Sequence, residues 1–303
     1  MIYDVIVLGA GPAGLAAAIY GKRAGLDLLV LDTSSITGGQ ILNTYEIDNY
    51  PGLPGLSGEE LAQTMRSHCE KLGVDFKRGR VTSIINNGLT KELVTKKETF
   101  IARTVIVASG TSNKKLGCPG EDELSGVGVS YCATCDGAFF KDKDVAVVGG
   151  GDVALEDAIY LARFCKKVFL IHRRDEFRGA AVLVEEVNKT DNITLVLDTT
   201  VESIEGESSV QMLFLKNKIS GEISELKVDG IFIAVGTSPN TSSIAGLPDM
   251  DENGYIVADE TCITSIPGIY AAGDVRTKQL RQVVTATADG ANAITSIQKY
   301  LHT

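Results

Sequence analysis

Two cysteines separated by two residues, Cys132 and Cys135, are the pair in this sequence best suited to chemistry. Such a pair can be a redox disulfide or half of a zinc site. A structural zinc needs a second pair of ligands, whereas the other cysteines and histidines are scattered singly. Redox use is therefore favoured. In that use one cysteine thiolate attacks the disulfide of a substrate, and the other cysteine then attacks the first and releases the substrate. Asp136 follows directly and could exchange protons with this pair, or it could simply begin an Asp-Gly turn.

A glycine-rich turn near the start of the chain has the G-x-G-x-x-G spacing. It consists of Gly9, Ala10, Gly11, Pro12, Ala13 and Gly14. The turn follows an apolar strand pattern and precedes an alanine-rich helix pattern, whose N-terminus offers unpaired N–H groups to a pyrophosphate. Asp32 ends the next strand pattern, where a carboxylate accepts hydrogen bonds from ribose hydroxyls. Alone the glycines could form a structural turn, but strand, helix and acid together predict a dinucleotide site.

A second turn of this kind recurs in the middle of the chain. It consists of Gly149, Gly150, Gly151, Asp152, Val153 and Ala154. The position equivalent to Asp32 is His172 rather than an acid, and Arg173, Arg174 and Arg178 follow it. Cationic side chains at this strand end favour a 2′-phosphate, so the second site is predicted to prefer NADP over NAD. A solvated basic turn is the alternative interpretation.

The first site could hold FAD or NAD, and a segment near the C-terminus favours FAD. Gly273 and Asp274 end a strand pattern, where the carboxylate could bind a ribityl chain. A helix pattern that begins near Arg281 and Gln282 could direct its positive end at the pyrimidine side of a reduced flavin. Without this context the Gly-Asp pair would be interpreted as an ordinary turn.

Each glycine turn lies in a repeated pattern of strand, turn, helix and strand. The repeat predicts an α/β fold with two doubly wound, Rossmann-like nucleotide-binding domains. Because the last strand pattern of the first domain appears only near the C-terminus, the second domain is predicted to be inserted into the first. The first domain is expected to span 1–111 and 243–303, and the second, with the cysteine pair, 115–240. Segments 83–104 and 201–228 are predicted to form β-meanders.

Composition limits the possible partners of this chain. The 303 residues are 44% hydrophobic and carry a net charge of −10, so an acidic surface argues against nucleic-acid binding. The apolar stretches are too short to span a bilayer, and no basic run suggests a membrane surface. Six cysteines, mostly isolated, fit a reducing cytoplasm rather than a disulfide framework. The N-terminal apolar stretch lacks a basic region and contains Asp4, which predicts a first strand rather than a signal peptide.

The sequence resembles the low-molecular-weight bacterial thioredoxin reductases in six motifs, which are GAGPAG, TGGQ, CATCDG, GGGDVALE, HRRDEFR and AAGDV followed by RQ. The similarity covers essentially the whole chain in order. It implies a homodimer with FAD in the split domain and NADPH in the inserted one. It also implies hydride transfer from NADPH to FAD, then electron transfer to the Cys132–Cys135 disulfide and on to oxidised thioredoxin. In such enzymes Cys135 would face the flavin, Cys132 would attack the substrate and Asp136 would handle protons.

The resemblance assigns further residues to the cofactors. Gly39, Gln40 and Asn49 match family positions near the flavin, and the segment from Gly273 to Gln282 matches the C-terminal FAD segment. Asp32 stands where many members have glutamate. A related subgroup uses reduced ferredoxin and lacks both the second glycine turn and the arginine cluster. This chain has both, which argues for NADPH.

Three other functions were weighed against an NADPH-dependent thioredoxin-disulfide reductase. The reductase component of a peroxide-detoxifying pair carries extra N-terminal redox domains, whereas this sequence starts at its first flavin strand. A flavoprotein oxidase or monooxygenase would not need Cys132 and Cys135. A non-catalytic redox sensor would have little use for an intact NADP cluster. We therefore expect thioredoxin reduction, with no bound metal.

Overall fold

The computed structural model describes residues 1–44, 47 and 49–302 of the chain. The chain forms two compact units. The first unit consists of Met1–Leu42, Tyr50–Ser112 and Ser238–Thr303, and the second of Asn43–Asn49 and Asn113–Thr237. The long stretch of the second unit therefore interrupts the first unit in sequence.

Strands and helices alternate along much of the chain. The strands are β1 (Ile2–Leu8), β2 (Leu28–Asp32), β3 (Asp75–Arg78), β4 (Val81–Asn86), β5 (Lys91–Thr95), β6 (Thr99–Val107), β7 (Thr111–Asn113), β8 (Val129–Ser130), β9 (Asp144–Val148), β10 (Lys167–Ile171), β11 (Ile193–Val196), β12 (Thr199–Glu205), β13 (Met212–Asn217), β14 (Ile223–Lys227), β15 (Gly230–Ile233), β16 (Thr237–Pro239) and β17 (Ile269–Ala271). The α-helices are α1 (Pro12–Arg23), α2 (Gly58–Lys71), α3 (Ala133–Asp136), α4 (Asp152–Ala162), α5 (Ala181–Lys189) and α6 (Val283–Leu301). Short 3₁₀ turns cover Gly39–Asn43, Gly137–Phe140 and Ser242–Ile244.

The first unit is built on a seven-stranded sheet with the order β3-β2-β1-β6-β5-β4. Strands β1, β2, β3 and β6 run parallel, whereas β4 and β5 are antiparallel to their neighbours. β17 pairs with the C-terminal end of β6, with Ile269 opposite Val105. β1 is apolar on both faces, as expected for a central parallel strand that is covered on both sides.

Helices α1 and α6 pack closely against each other in the first unit. A Cβ atom at Gly290 of α6 would overlap the carbonyl oxygen of Ala13, so the two backbones approach as only glycine permits. Ala16 and Ala17 are buried on the same helix as Ala13. This contact brings the C-terminal helix to the N-terminal end of α1, where the first glycine turn lies.

The second unit contains a five-stranded parallel sheet with the order β11-β10-β9-β15-β8. β8 has only two residues and pairs with β15 through Ile231 opposite Val129. It leads directly into the cysteine pair. A separate three-stranded antiparallel sheet, β12-β13-β14, follows β11 in the chain.

Two of the segments in which the chain passes from one unit to the other pair with each other. β7 and β16 form a two-stranded sheet. Backbone hydrogen bonds lie at either end of it, from Lys114 N to Gly236 O at 2.9 Å and from Asn240 N to Gly110 O at 3.0 Å.

The predicted α/β class with parallel, Rossmann-like sheets is confirmed. The two β-meanders are also confirmed, because β4–β6 and β12–β14 are both antiparallel. β8 and the pairing of β7 with β16 were not predicted. Among the residues that the structure describes, none of the helices has the length and apolar character needed to cross a membrane.

Candidate active site

Cys132 and Cys135 form a disulfide in the second unit, with their Cα atoms 5.3 Å apart. Cys132 is the N-cap residue of the short helix α3, and both cysteines are partly exposed. Their position directly after β8 puts them near the carboxyl end of a parallel sheet, where α/β proteins commonly place their sites. In the described part of the chain, no three His, Cys, Asp or Glu side chains are grouped to hold a metal ion. The disulfide itself is the observation that favours a redox interpretation of the pair.

The carboxyl group of Asp136 is largely buried beside the end of β8. Its Oδ2 accepts a hydrogen bond of 2.6 Å from the hydroxyl of Ser130, whose Oγ also accepts the N–H of Cys132 at 3.1 Å. Asp136 Oδ1 is buried and has no hydrogen-bond partner among the described residues. Burial raises the pKa of Asp136, while the hydrogen bond from Ser130 lowers it. The carboxyl group is thus suited to holding a proton.

A buried acid, Glu121, connects two backbone segments of the second unit. Its carboxylate accepts the N–H groups of Leu116 and Gly117 at 3.0 and 2.7 Å and the hydroxyl of Tyr131 at 2.8 Å. Glu121 is 2% exposed. Because Tyr131 directly precedes Cys132, this carboxylate holds the chain in place immediately before the disulfide. Sequence reasoning missed both Glu121 and Ser130, since neither belongs to a recognisable spacing.

The first glycine turn has the shape of a phosphate cradle. Gly9 adopts φ of 106°, and a Cβ there would meet the carbonyl of Ala108. A Cβ at Gly14 would overlap the oxygen of Gly9, so this glycine permits close packing of α1 on β1. By contrast, the space beside Gly11 is open, with its nearest atom 3.8 Å away. Pro12 begins α1. The turn therefore leaves room for a ligand at its second glycine.

Asp32 is held at the end of β2 close to this turn. Its Oδ2 accepts the N–H of Ala10 at 2.6 Å, and its Oδ1 accepts the N–H of Ser34 at 2.9 Å. A carboxylate has about four lone-pair sites, so these two bonds leave capacity for ribose hydroxyls. Through its bond to Ala10, Asp32 also stabilises the glycine turn, a role that the sequence did not predict.

Asp274 follows β17 in the same unit. Its Oδ1 is buried without a hydrogen-bond partner among the described residues. Burial raises the pKa of Asp274, and the charges of Lys278 and Arg281 oppose this rise. A Cβ at Gly273, whose φ is 80°, would lie 2.9 Å from the Cβ of Ala13. The unpartnered oxygen therefore lies close to the first glycine turn, where a hydrogen-bond donor on a ligand would satisfy it.

A buried ion pair supports the turn at Gly273. Asp289 accepts hydrogen bonds from Arg276 at 2.9 and 2.7 Å, from Lys278 at 2.8 Å and from the N–H of Gly273 at 2.8 Å. The side chains of Asp289 and Arg276 are each 2% exposed. Burial raises the pKa of Asp289, but the bonds from Arg276 and Lys278 outweigh it and hold the pKa below its usual value.

The other predicted flavin residues have varied surroundings. Arg281 stacks on the ring of Tyr255 at 4.3 Å, and Gln282 is the N-cap of α6, which begins one residue later. Gln40 Nε2 donates to the backbone oxygen of Thr111 at 2.6 Å. A Cβ atom placed on Gly39 would lie 3.5 Å from the Cα of Gly11, so this glycine faces the first turn. Asn49 is exposed and belongs to the short segment grouped with the second unit, so its flavin contact stays a prediction.

The second glycine turn repeats the shape of the first. A Cβ at Gly149 would crowd Ala154 and the carbonyl of Ala234, whereas no atom lies within 4 Å of the equivalent point at Gly151. Asp152 accepts the N–H of Ala180 at 2.7 Å, and Val153 is 60% exposed. This turn too is open at one glycine, Gly151, and closely packed at Gly149.

His172 differs from the cationic role predicted for it. The side chain is only 5% exposed, and its ring stacks on Phe177. Glycine is required at position 150 because a Cβ there would overlap the His172 ring. Burial and the neighbouring arginines lower the pKa of His172 and outweigh the opposing backbone hydrogen bond at Glu176, which disfavours the charged ring. The ring therefore fills the space beneath the turn.

The arginines that follow this histidine remain available to bind an anion. Arg173, Arg174 and Arg178 are all exposed. The N–H of Arg178 donates to the carbonyl of Gly150 at 2.7 Å, which fixes the loop beside the glycine turn. These three residues alone carry the positive charge that sequence reasoning assigned to the whole cluster.

The fold and the disulfide together define a class of redox enzyme. Residues 3–290 match the family model described as pyridine nucleotide-disulphide oxidoreductase, so the chain belongs to this family and is an oxidoreductase. It is 45% identical to the thioredoxin reductase of Listeria innocua over 301 residues, which are 99% of this chain and 94% of that one. Within the family, the chain belongs to the thioredoxin reductases, and the predicted resemblance is confirmed.

Other relatives agree with this assignment. The thioredoxin reductase of Bacillus subtilis is 44% identical over 99% of this chain and 95% of its own length. The crystal structure of thioredoxin reductase from Streptococcus pyogenes matches with a TM-score of 0.95 and 42% identity, covering 99% of this chain and 98% of that one. The cofactors of this chain are FAD and NADPH, as predicted. The other functions that we weighed are not favoured.

Proposed function

We propose that this chain uses NADPH to reduce the disulfide of thioredoxin. The observation that carries the proposal is the partly exposed Cys132–Cys135 disulfide, which lies in the same unit as the second glycine turn. Near full-length similarity to proteins named thioredoxin reductase supports this substrate. The buried acid Asp136 supplies the proton-handling group that disulfide exchange needs.

We assign FAD to the first unit. The open space at Gly11 suits its pyrophosphate, and the unpartnered oxygen of Asp274 suits a ribityl hydroxyl. When bound there, FAD would supply a hydride acceptor for NADPH and a two-electron donor for the disulfide. The residues proposed to hold it are Gly9, Gly11, Pro12, Ala13, Gly14, Asp32, Gly39, Gln40, Asn49, Gly273, Asp274, Arg281 and Gln282.

We assign NADPH to the second unit. The space at Gly151 suits the pyrophosphate, and the exposed arginines suit the 2′-phosphate. His172 contributes by packing under Gly150 rather than by charge. The residues proposed to hold NADPH are Gly149, Gly151, Asp152, Val153, Ala154, Arg173, Arg174 and Arg178, with His172 as their support.

The cysteines carry out the exchange with the substrate. Two electrons convert the Cys132–Cys135 disulfide into two thiolates, and the two protons of the overall reaction are taken up by the departing substrate thiolates. The thiolate of Cys132 then attacks one sulfur of the substrate disulfide, which forms a mixed disulfide and releases the other substrate sulfur as a thiolate. Cys135 next attacks Cys132, which restores the internal disulfide and releases the second substrate thiolate. Asp136 gives a proton to a departing thiolate and regains it from solvent.

We also propose a cytoplasmic homodimer that binds neither nucleic acid nor membrane. The net charge of −10 repels polyanions. Cys69, Cys118, Cys165 and Cys262 are free thiols, which suits a reducing compartment. The homodimer rests on the family resemblance, and sedimentation of the purified protein tests it.

One titration tests the activity. The purified holoenzyme should show flavin absorption that bleaches with NADPH and recovers when oxidised thioredoxin is added. Cys132→Ser and Cys135→Ser should each abolish thioredoxin turnover while NADPH still bleaches the flavin. Cys118→Ser, which alters a free cysteine of the same unit, should keep full activity. Turnover in either active-site variant would refute the role of the disulfide.

A further inference from the structure

The hydroxyl of Ser130 joins the acid of the active site to the backbone of the attacking cysteine. Ser130 Oγ lies 2.6 Å from Asp136 Oδ2, 3.1 Å from the N of Cys132 and 3.4 Å from the O of Cys132. A hydroxyl has one proton, and the shorter bond to a carboxylate is the stronger one. Ser130 therefore donates to Asp136 and accepts from the Cys132 amide.

This arrangement leaves the two oxygens of Asp136 in different situations. Oδ2 is held by Ser130, whereas Oδ1 is buried without a partner among the described residues. Ser130 is itself 6% exposed and belongs to β8, which is paired with β15. The carboxyl group is thus held at one oxygen by a hydroxyl on a sheet strand, and its second oxygen makes no hydrogen bond to the described residues.

Few groups influence the protonation of this acid. Burial raises the pKa of Asp136, and among the residues that the structure describes the Ser130 hydrogen bond is the effect that lowers it. Helix α4, which packs against α3, carries Asp152, Glu156 and Asp157, but none of them shifts the pKa of Asp136. Glu121 is engaged with Tyr131 and the backbone. Ser130 is accordingly the group on which the ionised form of Asp136 depends.

We propose that Ser130 is a positioning residue that orients the Asp136 carboxyl group and stabilises its ionised form during disulfide exchange. When Asp136 gives its proton to a departing thiolate, the new carboxylate is held by the Ser130 hydroxyl. When the proton returns from solvent, this stabilisation ends. The inference rests on the proposed role of Asp136 as proton donor.

The first test is a pH titration of the oxidised holoenzyme by infrared spectroscopy. The C=O band of protonated Asp136 is the band that Asp136→Asn removes. In Ser130→Ala this band should persist to higher pH, by roughly one pH unit, because one hydrogen bond to the carboxylate is lost. Ser130→Thr keeps the hydroxyl and should restore the wild-type curve. Ser208→Ala, an exposed serine of the same unit, is the matched control and should not shift it. This measurement needs no turnover, so it stands apart from the test of thioredoxin reduction.

The second test is the pH profile of kcat with oxidised thioredoxin. One limb of the wild-type profile should disappear in Asp136→Asn. The midpoint of that limb should move to higher pH in Ser130→Ala and should lie at the wild-type pH in Ser130→Thr. In the double variant with Asp136→Asn, loss of Ser130 should cause no further change in the profile. A lowered kcat with an unmoved infrared curve would mean a merely structural serine and would overturn the proposal. If Ser130→Ala cannot be purified, Ser130→Cys, with its weaker donor, should give a smaller shift in the same direction, and a wild-type curve would again overturn it.

Discussion

Removal of the Asp289 carboxylate should destabilise the first unit strongly. Asp289 accepts four hydrogen bonds, two of them from Arg276, and both side chains are 2% exposed. Removing one partner of such a buried pair typically costs about 3–5 kcal/mol, because the other charge stays buried without compensation. Arg276 keeps an ion pair with Glu260 at 3.0 Å, so we expect Asp289→Ala to cost about 3 kcal/mol, near the low end of that range.

The assay is urea denaturation of the holoenzyme at pH 7, followed by circular dichroism, with flavin release measured by fluorescence in parallel. Flavin release should occur at lower urea in Asp289→Ala, since the N–H of Gly273 loses its acceptor. Glu185→Ala is the matched control, because Glu185 pairs with Lys189 at 2.6 Å on an exposed helix surface. This control should cost at most about 0.5 kcal/mol.

The pH dependence provides an independent check. The pKa of Asp289 in the folded protein lies below its usual value, so its ionised form stabilises the fold. That contribution is complete above the unfolded pKa of about 3.9 and is lost as the pH falls through the folded value. The difference between wild type and Asp289→Ala should thus be constant between about pH 5 and 7 and should shrink in stronger acid. A cost below about 1 kcal/mol at pH 7, with unchanged flavin release, would refute the reasoning.

Three further variants test the cofactor sites. Replacing both Arg173 and Arg174 by alanine should weaken NADPH binding about tenfold or more, because a charge-assisted hydrogen bond contributes about 1.5–3 kcal/mol. The same replacement should leave NADH binding nearly unchanged. Equal losses of affinity for the two nucleotides would contradict the assignment. Gly151→Val should block NADPH binding in equilibrium dialysis by filling the open side of its turn, while flavin content stays normal. Asp274→Ala should raise the dissociation constant of FAD about tenfold in reconstitution of the apoprotein, and unchanged affinity would remove Asp274 from the site.

Local spacing explains what the sequence predicts well. Gly14 of the first turn is required by a backbone collision within a few residues, because a Cβ there would overlap the carbonyl oxygen of Gly9. The cysteine pair is equally local, and its disulfide is present as expected. Such features can be read from one segment of chain because their causes lie in that segment.

Contacts between distant segments explain what sequence reasoning missed. The ion pair of Arg276 and Asp289 forms between a loop and a helix, and no sequence pattern in either segment predicts that they pair. His172 was expected to be a cation because it occupies the end of a strand. Its burial under Gly150 follows from the tertiary packing of that turn. The bond from Ser130 to Asp136 depends on how β8 leads into α3, and a two-residue strand leaves no periodic pattern.

The dependence of the first unit on β17 and α6 has a consequence during protein synthesis. The glycine turn at Gly9 leaves the ribosome early, but the helix that packs on it ends only at Leu301. The intervening stretch Asn113–Thr237 can complete its own sheets before then. A nascent chain would therefore hold an incomplete first unit while its middle folds, and a premature stop codon before Ile269 would release a product without the C-terminal segment that we propose to hold FAD.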